Sequence, residues 1–178
     1  RGLGDVYKRQ LVYLSLSNSV GGAILTGGAL YGGDHLRAGE FGHNTLVPDG
    51  RPCYCGKKGC LDAYCSAKVL SQLTDGNLAL FFDGLRSGNA ALQMAWNEYL
   101  SYLAVAVNNL RMTFDCDVIV GGYVGGFLAE FGEPLREMLV ERNTFEPDSS
   151  YLKFSRYRLE ASALGAALLH IEAFIQNL

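Results

Sequence analysis

The sequence predicts an α/β domain, a mixed sheet with flanking helices. Strand-like runs separated by glycine turns come first, between residues 11 and 33, and predict antiparallel pairing. Strand and helix patterns then alternate toward the carboxyl end, which favours parallel strands covered by helices. The 49% hydrophobic and 19% charged residues are typical of a globular chain that buries a core.

The amino-terminal half supplies the antiparallel strands and two helices. The run at 11–17 is rich in β-formers, and the turn NSVGG leads to a second strand at 23–25. The hairpin loop TGG at 26–28 leads to a third strand. Ser66 is a candidate cap for a helix over AKVLSQL, and another helix is predicted at about 78–85.

The longest helix is predicted over 90–114, with Asn89 as its cap. Seven apolar residues recur at helical spacing on one face and are predicted to be core: Leu92, Ala95, Trp96, Tyr99, Leu103, Val107 and Leu110.

A second half of alternating strands and helices follows. DCDVIVGG at 115–122 predicts a buried parallel strand, and a helix is predicted at about 127–143. A strand at 151–160 and a helix at 161–175 complete the order. Antiparallel strands followed by strand and helix alternation suit one lobe of an actin-like (ribonuclease-H-like) ATPase.

One histidine and three cysteines stand close together in the loop between these halves. The segment reads GEFGHNTLVPDGRPCYCGKKGC, and His43, Cys53, Cys55 and Cys60 make a four-ligand set for one tetrahedral ion. Zinc suits thiolate and imidazole donors, and four protein ligands predict a structural site. Unlinked thiols or disulfides are the alternative, which the spacing disfavours.

The same segment, AGEFGH followed by CxCGxxGCxD, resembles the signature of the ROK family of repressors, open reading frames and kinases. The resemblance covers residues 11–178 and implies the actin-like lobe with its zinc-bound loop. It also implies that Glu40 and His43 contact sugar hydroxyls, with the other nitrogen of His43 on zinc. Asp62, where the family usually has Glu, would be a third sugar ligand. Ionised carboxylates are strong acceptors for hydroxyl hydrogens, although a solvated loop charge is the alternative for Glu40 alone.

Two glycine-containing loops are candidate nucleotide sites. The resemblance implies a phosphate-contacting turn, commonly GTGxGG, which here comprises Ser17, Asn18, Ser19, Val20, Gly21 and Gly22. Two glycines of the pattern remain, and a plain β-turn is the alternative. The resemblance also implies an adenosine motif in VIVGGYVGG, with Gly121 and Gly122 nearest the base or ribose. A strand that ends in glycines before a helix is where open α/β sheets bind ligands.

Composition limits the partners and the cellular location expected for this chain. A formal net charge of -3 and a pI near 5.6 provide no basic surface for nucleic acid. With no apolar run of about 18 residues and no signal-peptide pattern, a cytoplasmic protein without membrane contact is expected. Cys65 and Cys116 fall outside the four-ligand set and are predicted to be small buried hydrophobes. Residues 1–10 lack any period and are expected to be a non-native leader, so the lobe is predicted to span 11–178.

The resemblance implies two possible parent proteins. One is a glucokinase-like, ATP-dependent hexose kinase that uses Mg²⁺ and acts on a hexose or amino-hexose. Its general-base Asp and its DxGxT motif belong to an N-terminal lobe, so residues 11–178 alone are expected to be inactive. The other is a sugar-sensing transcriptional repressor, with DNA as a partner only through an N-terminal winged helix.

The two candidate nucleotide loops favour different parent proteins. The altered SNSVGG turn favours the repressor, and the retained pair Gly121 and Gly122 favours the kinase, which is preferred here. A metal-stabilised scaffold without a ligand is a third reading. Family members pair through this lobe, so a homodimer is expected.

Overall fold

The computed structural model describes residues 10–155 of the chain. Its five strands form one mixed sheet in the order β3-β2-β1-β4-β5. The strands are β1 (Gln10–Leu16), β2 (Val20–Thr26), β3 (Ala29–Leu30), β4 (Asp117–Gly121) and β5 (Leu152–Phe154). Pairing is antiparallel across β1, β2 and β3 and parallel across β1, β4 and β5. The predicted mixed sheet is confirmed.

Helices connect and cover these strands. They are α1 (Asp62–Cys65), α2 (Ala67–Ser71), α3 (Leu78–Arg86), α4 (Ala90–Phe114), α5 (Gly122–Gly125), α6 (Leu128–Phe131) and α7 (Glu133–Arg142). Short 3-10 turns cover Phe41–His43 and Gln72–Thr74. None of the helices within residues 10–155 combines the length and apolar character needed to cross a bilayer.

The long helix α4 begins where the sequence predicts. The side-chain oxygen of Asn89 accepts hydrogen bonds from the N–H groups of Ala91 and Leu92, at 3.0 and 3.2 Å, which satisfies two unpaired donors of the first turn. α4 packs against β1, β4, α1, α3 and α7. Five residues of its predicted stripe are buried: Trp96, Tyr99, Leu103, Val107 and Leu110. Leu92 and Ala95 are partly buried at the edge of the core.

Four predicted details differ from the structure. The single helix expected at 127–143 is divided into α6 and α7, because Gly132 and Pro134 interrupt it. α1 was not predicted, and β2 begins at Val20 rather than at Ala23. β1 begins at Gln10, inside the segment expected to be a leader. β5 ends at Phe154, and the predicted strand residues 156–160 and helix 161–175 lie outside the described residues.

The parallel strands β1 and β4 end side by side, with Ser15 opposite Gly121. The loop after β1 and the glycines after β4 therefore emerge at one edge of the sheet. The carboxyl edge of parallel strands is the usual ligand-binding edge of an α/β sheet.

Cys65 and Cys116, the two cysteines outside the candidate ligand set, are both buried, as predicted.

Candidate functional site

Four potential metal ligands converge in the loop before α1. The ligand atoms of His43, Cys53, Cys55 and Cys60 all lie within 4.8 Å of one another. The Sγ atoms of Cys55 and Cys60 are 3.7 Å apart. Two thiolates on one tetrahedral zinc, each about 2.3 Å from the metal, stand roughly 3.8 Å apart, whereas a disulfide bond measures about 2.05 Å. The cluster therefore has the spacing that suits one tetrahedral ion.

The backbone of the loop is shaped to bring Cys60 back to this cluster. An antiparallel bridge pairs Thr45 with Cys60. Gly59 has a φ of 78°, and a Cβ there would overlap the carbonyl oxygen of Val47. Only glycine fits immediately before this ligand.

The thiols of the cluster have different surroundings. Burial, followed by hydrogen bonding with the neighbouring thiols, raises the pKa of the Cys60 thiol to about 12. A backbone hydrogen bond at Lys57 lowers the pKa of the exposed Cys55 thiol. Because burial favours the neutral thiol at Cys60, a bound cation is what would stabilise its thiolate.

The two ring nitrogens of His43 also face different surroundings. Nδ1 is buried and has no hydrogen-bond partner within residues 10–155. Nε2 lies 3.3 Å from the hydroxyl of Tyr54. A buried nitrogen without a partner is costly unless something binds it. Nδ1 is thus the nitrogen that fits a metal, and Nε2 is then the nitrogen that carries the proton and can donate to a ligand.

Tyr54 was not among the residues singled out from the sequence. Its side chain is 72% exposed, and its ring meets the His43 ring edge-on at 5.4 Å between centroids. Desolvation, followed by the negative charges of Asp62, Cys53 and Glu40, raises the pKa of the Tyr54 phenol. Its position between two cysteines of the ligand set was the signal that could have identified it.

The loop that carries the candidate metal ligands is anchored on α4 through Arg51. The Arg51 N–H donates to the hydroxyl of Tyr64 at 2.7 Å. The guanidinium lies 4.7 Å from the ring centre of Tyr64 and 5.6 Å from that of Tyr102. It also pairs with Glu98 on α4 at 2.8 Å. These contacts join the loop to the longest helix of the fold.

The segment that carries Glu40 and His43 rests on the start of β2. Gly39 and Gly42 lie where a Cβ would overlap the carbonyl groups of Gly22 and Val20, respectively. The 3-10 turn that follows keeps Glu40 exposed, and the His43 N–H donates to the Glu40 carbonyl at 3.1 Å. Glu40 and His43 therefore lie beside the start of β2, the strand that continues from the turn at 17–22.

Asp62 occupies the first position of α1 and is only 6% exposed. Its Oδ1 accepts a hydrogen bond from the backbone N–H of Val20 at 2.6 Å. Its Oδ2 makes no hydrogen bond within the described residues. The carboxylate therefore holds the turn with one oxygen and has the other for a ligand.

The two candidate nucleotide loops lie against each other. Gly122 has a φ of 79°, and a Cβ there would stand 2.7 Å from the Leu16 nitrogen and 2.8 Å from the Ser17 Oγ. Asn18 and Ser19 are exposed, and a Cβ at Gly21 would meet nothing within 4 Å. Gly121 is buried beside the ring of Tyr13. The turn at 17–22 thus has open space on its outer side and the glycines of β4 on its inner side.

A separate groove of about 350 Å³ lies between the 37–46 segment and the carboxyl half of α4. Glu40 is one of its lining residues, but His43 and Asp62 are not. This groove is therefore lined by one of the three candidate sugar ligands.

Comparison with known proteins agrees with the fold and with the family resemblance. The model of the ROK family matches residues 5–173. An N-acetylmannosamine kinase of Escherichia coli O9:H4 (strain HS) is 33% identical over 174 residues, which cover 93% of this chain and 57% of that kinase. The chain thus spans little more than half the length of the curated relatives it matches.

Solved structures show the same architecture. A ROK family glucokinase from Streptomyces griseus, in complex with glucose and AMPPNP, superposes with a TM-score of 0.76 at 25% identity, over 94% of this chain and 62% of that one. A ROK hexokinase from Thermus thermophilus gives 0.71 at 28% identity, over 93% and 59%. A ROK family transcriptional regulator gives 0.62 at 21% identity, over 76% and 39%, and shares the fold.

Proposed function

This chain belongs to the ROK family, and we propose that it is the sugar-binding lobe of an ATP-dependent sugar kinase. The observation that carries the proposal is the divided environment of His43. Its Nδ1 is buried without a partner near three thiols, and its Nε2 faces the exposed side with Tyr54. A structural zinc on Nδ1 would turn Nε2 into a fixed donor for a sugar hydroxyl.

The sugar is proposed to bind against Glu40, His43 and Asp62. The carboxylates accept hydrogen bonds from hydroxyl groups, and the His43 Nε2–H donates one, so the ring of the sugar is oriented by groups of both kinds. Zinc supplies no chemistry to the reaction beyond holding the loop and the tautomer of His43. Orientation matters because a positioned hydroxyl reacts far faster than a free one.

The nucleotide is proposed to bind at the carboxyl edge of β1 and β4. The residues for it are Ser17, Asn18, Ser19 and Gly21 of the turn, with Gly121 and Gly122 beside them. ATP with Mg²⁺ supplies the phosphoryl group to be transferred. Backbone N–H groups and hydroxyls of the turn are suited to hold phosphate oxygens. The general base is proposed to come from another lobe of a longer parent protein.

Sugar affinity should depend on the Glu40 carboxylate. In the full-length protein, Glu40→Gln is expected to weaken sugar binding by about 1–3 kcal/mol, because a hydroxyl of the bound sugar loses its charged acceptor. Calorimetric titration with glucose, fructose, N-acetylglucosamine and N-acetylmannosamine measures the change and identifies the preferred sugar. Glu137→Gln, at an exposed position of α7, is the control and should bind like the wild type. Equal affinities for wild type and Glu40→Gln would remove Glu40 from the site.

A sugar-sensing repressor is the second candidate, and the departure of the turn at 17–22 from the glycine pattern favours it. The two candidates differ in their output. A kinase releases ADP only when sugar is present, whereas a repressor shows no turnover and changes its affinity for operator DNA on binding sugar. A coupled ADP assay beside a DNA-mobility assay on the full-length protein separates them. Sugar-dependent ADP release is the expected result, and its absence beside a sugar-dependent DNA shift would overturn the kinase proposal.

Three further features stay predictions. The choice between a hexose and an amino-hexose is the subject of the titration above. A homodimer formed through this lobe follows from the family resemblance, and a cytoplasmic location stays an expectation from the sequence pattern.

A further inference from the structure

We propose that Asp62 is a positioning residue for the nucleotide, because it fixes the turn at 17–22 through the N–H of Val20. The inference rests on the proposed kinase function and adds a role that a sugar ligand alone would not have. It makes one side chain responsible for both the orientation of the sugar and the shape of the phosphate-contacting turn.

The contact itself is short, buried and charge-assisted. Asp62 Oδ1 accepts from the Val20 N–H at 2.6 Å, and the two residues are 6% and 5% exposed. Hydrogen bonds to an ionised acceptor are stronger than neutral ones, and screening by water is weak at such a position. Val20 is the last residue of the turn before its glycines and the first residue of β2.

The other end of the turn is tied to the same segment of chain. The carbonyl of Ser17 accepts a hydrogen bond from the N–H of Ala67 at 2.8 Å. Asp62 and Ala67 open α1 and α2, respectively, just after the last cysteine of the metal cluster. Asn18 and Ser19, between the two ties, are exposed. The turn is therefore held at both ends by the residues that follow the metal-binding loop.

The length of the Asp62 side chain suits this role. Its α-helical position directs the carboxylate at the backbone of β2, and one oxygen reaches the Val20 N–H while the other remains for a ligand. The shape of this turn also affects the second candidate nucleotide loop, because Gly122 packs on Leu16 and Ser17. Loss of the Asp62 contact should thus change nucleotide binding even when no sugar is present.

The test uses three variants of the full-length protein. Asp62→Asn keeps a carbonyl oxygen for the Val20 N–H but loses the charge. Asp62→Ala removes the acceptor. If the alanine variant does not fold, Asp62→Ser is used in its place, because the serine hydroxyl is one bond too short to reach the Val20 N–H. Glu40→Ala is the matched control, since it removes a proposed sugar carboxylate that makes no hydrogen bond to the turn within the described residues. Zinc content and melting temperature confirm that each variant is folded.

Binding of AMPPNP without sugar is then measured by calorimetry, together with the KM values for ATP and sugar. We expect Asp62→Ala to weaken AMPPNP binding by about tenfold or more, because an unmade hydrogen bond to a charged group corresponds to roughly that factor. Asp62→Asn should bind AMPPNP nearly as wild type yet have a raised KM for sugar. Glu40→Ala should raise only the KM for sugar.

Two results would overturn the inference, and they are distinguishable. In the first, the wild type phosphorylates sugar, and both Asp62→Ala and Asp62→Asn bind AMPPNP as tightly as the wild type does. Asp62 is then a sugar ligand alone. If the wild type binds sugar but neither binds AMPPNP nor turns over, the kinase proposal fails and the positioning role fails with it.

Discussion

Replacing Cys60 with serine is expected to abolish metal binding and to destabilise the loop that carries the proposed sugar ligands Glu40 and His43. Cys60 is fully buried, and its backbone pairs with Thr45 shortly before α1, so the substitution removes a candidate ligand at the point where the loop returns. Structural zinc contributes about 10–16 kcal/mol of binding free energy in zinc-finger peptides. Even a decrease of about 3 kcal/mol in the free energy of unfolding would lower the melting temperature by roughly 6–12 °C for a domain of this size.

Elemental analysis and calorimetry of the purified protein measure these effects. Cys55→Ser separates metal loss from packing, because Cys55 is exposed while Cys60 is not. It should lose zinc as completely as Cys60→Ser and lower the melting temperature as well. Cys116→Ala, at a buried cysteine outside the cluster, should retain zinc. A wild type that binds no zinc, or a Cys55→Ser variant that keeps it, would contradict the metal assignment.

The second large effect is expected at Gly122. Valine there must adopt a φ of 79° and place its Cβ 2.7 Å from the Leu16 nitrogen, a backbone atom at the end of β1. The backbone conformation alone costs about 1–3 kcal/mol for a residue other than glycine. Because β1 is central in the sheet, relief of the overlap must displace the turn at 17–22. We expect Gly122→Val to lower the melting temperature and raise the KM for ATP in the full-length protein.

Gly21→Ala is the informative companion to this variant. A Cβ at Gly21 meets nothing within 4 Å, so the fold should tolerate the change. An unchanged melting temperature with a raised KM for ATP would indicate that phosphate approaches the turn at this residue. Gly122→Val with the stability and KM of the wild type would remove Gly122 from the proposed nucleotide site.

Much of the fold was predictable because its signals are local. Asn89 caps α4 through the N–H groups of the next turn, and the buried stripe of α4 follows from the helical period alone. Glycines and prolines mark the loop around the cysteines. The break between α6 and α7 is also marked in the sequence, by Gly132 and Pro134.

The sequence by itself determined the candidate ligand set of the His43 and cysteine cluster and the family resemblance, because residue type and short spacing decide which donors one loop can gather. Only the tertiary structure decided the surroundings of the two nitrogens of His43 and that Asp62 reaches the N–H of Val20, 42 residues away. Such contacts depend on how the loop is seated on β2, where Gly39 and Gly42 permit a close approach. That seating is a product of packing between distant segments, which no local period or propensity encodes.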